Sequence, residues 1–152
     1  MTEKAAFNAE EWSKVVEAPA LAALTVIAAD RGGTIRESLS LGRAYSEARR
    51  DGSGLLQEIV STAPQVDPND LKDRNAVPQR AETALREALR VLEEKATPEE
   101  AEAYREFVLK VAETVARAHK EGGVLGIGGK EISESEQAAL DELAGVVRGG
   151  PA

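Results

Sequence analysis

Apolar positions recur at helical spacing along almost the whole chain. Phe7, Trp12, Val15 and Val16 fall on one face, and Asn8 followed by Glu11 has the form of a helix N-cap with its reciprocating partner. The first helix is expected to end near Glu17, because Pro19 sits poorly in a helix interior. Pro19 then opens a second helix, or kinks a continuous one, through Leu21, Leu24, Ile27 and Ala28. That segment is apolar nearly all round, which predicts a central place for it. Asp30-Arg31-Gly32-Gly33 reads as a turn, and Thr34 with Glu37 as a capping box ahead of a helix carrying Ile35, Leu39, Leu41, Tyr45 and Ala48. Gly52-Ser53-Gly54 breaks the pattern. A short apolar helix through Leu55, Leu56, Ile59, Val60 and Ala63 follows, stopped by Pro64.

Asp67-Pro68 is a helix start, but the polar run from Asp70 to Asn75 and Pro78 interrupt it before Ala81, Leu85, Ala88, Leu89 and Leu92 resume helical spacing. Residues 64–78 are therefore expected to form a flexible connection or a surface site. Thr97-Pro98-Glu99-Glu100 combines a capping threonine, proline at the first helical position and acids in the first turn. Behind it Ala101, Tyr104, Val108, Val111, Val115 and Ala118 step by three and four, as a heptad seam does. His119 and Lys120 lie in the last turn, where positive charge suits the helix dipole, and Gly122 suits a C-cap. The connector that follows is both glycine-rich and apolar. Gly122, Gly126, Gly128 and Gly129 give the backbone room to turn, while Val124, Leu125 and Ile127 are expected to plug against the core. Ser133 with Glu136 forms another capping box, and Leu140, Leu143, Val146 and Val147 mark the buried stripe of a closing helix. No segment alternates apolar and polar residues for long. The pattern predicts an all-α, single-domain bundle of about six or seven helices over residues 7–148, with flexible termini at 1–6 and 149–152.

Composition narrows the function classes. A chain of 152 residues can bury a real core without metal or disulfide staples, and it has no cysteine for a disulfide, a thiolate site or a thiol nucleophile. The formal charge of −8 opposes binding to nucleic-acid phosphates or anionic membrane surfaces. Aromatic residues make up only 3%, so the helices are expected to pack closely through Ala, Val and Leu. No signal peptide is visible at Met-Thr-Glu-Lys, and the longest apolar run, Ala18 to Ala29, is too short to span a bilayer. A soluble cytoplasmic protein is expected.

Few constellations could carry chemistry. Gly126, Gly128 and Gly129 follow no predicted strand, and Lys130 is followed by Glu131 where a phosphate-binding loop needs Ser or Thr. A di-iron bundle needs Glu-x-x-His on two helices, whereas this chain has one histidine, His119, with Ala116 three residues before it. The stretch after Asp30 lacks the alternating acids of an EF-hand loop. Looser metal binding between Asp30 and Glu37, or among Glu131, Glu134 and Glu136, competes with a reading of these residues as turn and cap carboxylates. Trp12 and Tyr104 read as core anchors, and Arg49-Arg50 and Lys72 to Arg74 as solvated basic spots. No residue stands out as catalytic.

Taken together, Glu11-Trp12, Ala18-Pro19, Ala28-Ala29-Asp30 with Glu37, the Gly122 to Gly129 loop and Ser133-Glu134-Ser135-Glu136 resemble a group of uncharacterised bacterial all-helical proteins. The segment from Ala29-Asp30 to Glu37 is also similar to the tellurite-resistance TerB-like domain, in which acidic turns are associated with metal; that resemblance implies Asp30 and Glu37 as metal ligands. The function expected from these readings is that of a non-enzymatic interaction or stress-associated protein acting through a protein partner or a homo-oligomer. A small-ligand or divalent-metal-binding module built on the acidic turns is the other class. No cofactor is indicated.

Overall fold

The computed structural model describes residues 2–29, 34–52, 54–62, 76–121 and 134–148, and for residues 29, 34–40 and 118–121 the backbone alone. Among them the chain forms a short 3-10 turn at Lys4–Ala6 and six α-helices, with no strand: α1 Ala9–Ala29, α2 Thr34–Asp51, α3 Gly54–Ser61, α4 Val77–Lys95, α5 Pro98–Glu121 and α6 Glu134–Val147. The protein is an all-α bundle. Helices α1 and α5 form its centre, each touching every other helix, and α1 packs most extensively along α4. The close approach of α1, α4 and α5 follows from small side chains at the contact. Ala18, Ala22 and Ala23 on α1, Ala81 and Ala88 on α4, and Ala112 and Ala116 on α5 are all fully buried. Larger residues fill the space between them, with Val15, Val26, Leu85, Leu92, Val108, Val111 and Val115 also without exposure.

The first helix does not end near Glu17. It runs unbroken through Pro19 to Ala29. Proline has no N–H to donate to the carbonyl four residues back, so the Val15 oxygen loses its helical donor. The Tyr104 hydroxyl on α5 donates to that oxygen at 2.8 Å in a buried hydrogen bond, and a tertiary contact thus makes good the defect that the sequence pattern reads as a boundary.

Pro78 likewise does not delay its helix. It occupies the first turn of α4, where a missing N–H costs nothing, and Val77 before it is buried, so residues 76–78 belong to the bundle rather than to a connection. Gly52 closes α2 with its N–H on the Ala48 carbonyl at 2.7 Å, and any Cβ there would run into that same oxygen. Gly54 opens α3 at φ 60°, a left-handed conformation that glycine adopts without strain.

Helix ends are closed by side chains from neighbouring helices. Arg49 on α2 donates from Nε to the Val60 carbonyl in the last turn of α3 at 2.8 Å, and Gln57 returns a bond from Nε2 to the Arg49 carbonyl at 3.1 Å. Arg105 on α5 does the same for α6, donating from Nε to the Val147 carbonyl at 3.1 Å. Each of these bonds satisfies an orphan carbonyl, and with the two arginines a cation also meets the negative end of a helix dipole. Arg49 is exposed, as the solvated-spot reading expects, but it also has this structural task.

Candidate binding cleft at the start of α1

The amino end of α1 is organised by local chemistry. The Asn8 side-chain oxygen accepts from the Glu11 N–H at 2.8 Å, and the Glu11 carboxylate accepts from the Asn8 N–H at 2.9 Å, which completes the reciprocal cap expected from their spacing. Phe7 then lies one residue outside the cap and Trp12 one turn inside it. Their rings meet at a centroid distance of 5.6 Å, tilted by 50°, as a hydrophobic staple. Both are buried in the main core.

The residues before the cap lie across this staple. The Lys4 N–H donates to Glu58 Oε2 on α3 at 3.0 Å, and the Lys4 ammonium stands 5.5 Å from the Trp12 ring centroid. Thr2 is tied to Glu100 at the start of α5, its N–H donating to Oε2 at 3.0 Å and its hydroxyl to Oε1 at 2.6 Å. Lys95, at the end of α4, reaches the Ala6 carbonyl at 3.1 Å and Glu11 Oε1 at 2.6 Å. Between this strap and α3 lies an open cleft of about 670 Å³, with Phe7 and Trp12 in its wall and Glu3, Lys4, Asn8 and Glu58 around them. An aromatic wall with a charged rim and a volume of this size suits a side chain or a short segment of a ligand. A second hollow of about 400 Å³, beside Leu21, Gln79, Thr83 and Glu87, has no aromatic wall.

The buried phenols offer no acid or base. Burial pushes the Tyr104 hydroxyl well above the ordinary tyrosine range, with Tyr45 adding to the effect. Burial likewise raises Tyr45, against a smaller opposing pull from Arg49. Both stay protonated at neutral pH.

Of the sequence-level candidates, Asp30, the loop residues Gly122, Val124, Leu125, Gly126, Ile127, Gly128 and Gly129, and also Lys72 to Arg74, Glu131 and Ser133 lie outside the described residues. Glu37 falls within α2 and His119 within α5, their side chains again outside what is described. Glu134 is exposed while Glu136, two residues on, is fully buried, so these two do not share an open face. Among the described residues no group of three or more His, Asp or Glu side chains is placed to hold a metal ion. Also among them, no helix is long and apolar enough to cross a membrane. Comparison with known proteins finds no matching family model, no matching curated relative and no matching solved structure.

The cleft itself was only half readable. Phe7, Asn8, Glu11 and Trp12 form a local pattern. Lys4 and Glu58 are 54 positions apart, and no local rule pairs them.

Proposed function

We propose that this protein is a non-catalytic helical interaction module of the bacterial cytoplasm, and that it engages a partner protein through the cleft at the start of α1. The observation that carries the reading is the aromatic staple of Phe7 and Trp12 beneath a charged rim, in a cleft open enough for a partner's side chain to enter. Buried aromatic anchors ringed by polar groups are where protein interfaces concentrate their binding energy. The rest of the bundle supplies rigidity, because the staple is continuous with the core.

Trp12 is the chain's only tryptophan, so its fluorescence reports on the cleft directly. Titration with short basic, acidic and apolar peptides is expected to give a saturable change with one of them. Trp12 emission unmoved by all three overturns the reading. Calcium and zinc are expected to leave the melting temperature unchanged; a clear rise that Asp30→Ala abolishes would replace this function with metal binding at Asp30 and Glu37.

A further inference from the structure

We infer that the cleft recognises a cationic side chain, Lys or Arg, on the partner, and that Lys4 is the chain's own stand-in for it. The inference rests on the interaction-module reading and specifies its partner. Three features of the cleft converge on a cation. First, the Trp12 ring already holds an ammonium, that of Lys4, at 5.5 Å from its centroid, and the indole face attracts cations more strongly than any other side-chain ring. Second, the cleft contains two carboxylates, Glu3 and Glu58, against the single ammonium of Lys4, so an incoming cation completes the charge balance. The nearby Lys95 ammonium is already committed to Glu11 at 2.6 Å. Third, the whole chain carries −8, a field that steers basic partners inward and repels acidic ones.

Lys4 is suited to be displaced. Its side chain is exposed, and among the described residues its ammonium has no carboxylate partner, so only the ring contact holds it over Trp12. Its backbone N–H, by contrast, is anchored on Glu58 at 3.0 Å. The ammonium can swing away while the strap stays in place, which leaves the ring to a partner's cation.

The test is a fluorescence titration of the full chain with an acetylated, amidated peptide carrying Lys and Arg, beside peptides with Glu or uncharged apolar residues in their place. Only the basic peptide is expected to give a saturable change at Trp12, weakened by added salt. Removal of the competing ammonium in Lys4→Ala is expected to tighten binding about two- to fivefold, the scale of an exposed cation–ring contact. Glu58→Gln keeps an acceptor for the Lys4 N–H and is expected to weaken binding several-fold, whereas Glu142→Gln on α6, outside the cleft, is not. Unchanged or weaker binding by Lys4→Ala overturns the inference, as does an equal loss in both Gln variants, which would mark general attraction to an acidic surface. Saturation by the acidic or apolar peptide alone also overturns it while leaving the interaction module standing. No response to any peptide removes both.

Discussion

Tyr104 and Pro19 act as a pair through the Val15 carbonyl. A buried carbonyl deprived of its donor costs about 1–3 kcal/mol, and the phenol at 2.8 Å removes that cost. Tyr104→Phe is therefore expected to lower stability by about 1–3 kcal/mol in urea denaturation. Pro19→Ala returns an N–H to the same oxygen, so in that background the loss of the hydroxyl should cost less, with a coupling of about 1 kcal/mol across the double-mutant cycle. Additive losses would mean that the hydroxyl does not stand in for the proline. Tyr45 supplies the control. It too is buried and packs edge-on to Phe107 at 5.3 Å, but its hydroxyl has no hydrogen-bond partner among the described residues. Tyr45→Phe sheds a desolvated polar group and keeps the ring, so it is expected to be neutral or mildly stabilising. The two substitutions remove the same atom, which is hydrogen-bonded in Tyr104 and without a partner among the described residues in Tyr45.

At the level of elements, the caps decide where helices begin, and Glu100 is where caps converge. Its carboxylate accepts from the Thr97 N–H at 2.9 Å, the Thr97 hydroxyl accepts from the Glu100 N–H at 3.1 Å, and Thr2 adds two further bonds. Burial pushes the Glu100 pKa up, but the hydrogen bonds from Thr2 and Thr97 outweigh it and hold the group below its ordinary 4.5. Glu11 is also held low, chiefly by the Lys95 ammonium and then by the Asn8 N–H. A carboxyl whose pKa is lower folded than unfolded contributes stability that is complete above the unfolded pKa and lost as pH falls through the folded one. Stability is thus expected to decline as pH drops below about 4.5, and Glu100→Gln, which cannot titrate, should flatten part of that decline. Urea midpoints measured for both proteins from neutral to acid pH check this, and parallel curves would refute it. The same elements mark how far the sequence could be read. Asn8 with Glu11, and Thr97 with Pro98 and Glu100, are patterns within four residues, so spacing alone predicted these helix starts. Across Pro19 the Val15 carbonyl takes its donor from a residue 89 positions further along the chain, and Thr2 is anchored on an acceptor 98 positions away. No local pattern encodes either, so the sequence leaves both a new helix at Pro19 and a continuous one open, and the tertiary contact decides for the continuous helix.

For the whole molecule, the decisive feature is that one continuous core draws residues from all six helices, with α1 and α5 touching every other helix. Removing either central helix would expose the apolar face of each remaining one, so no subset of helices keeps a covered core of its own. Such a bundle is expected to unfold in a single cooperative transition. Trp12 tests this from one end of α1, since its ring belongs both to the core and to the cleft wall. Fluorescence of Trp12 and far-UV circular dichroism should therefore give the same urea midpoint. An earlier fluorescence transition would show that the strap and the amino end of α1 open as a separate unit, as regions held by exposed hydrogen bonds do. The distinction bears on function, because it decides what a bound partner stabilises. If cleft and core unfold together, a basic peptide that saturates the cleft must raise both midpoints equally, by mass action on the one folded state. If the strap opens on its own, the peptide will raise the fluorescence midpoint and leave the dichroism midpoint where it was.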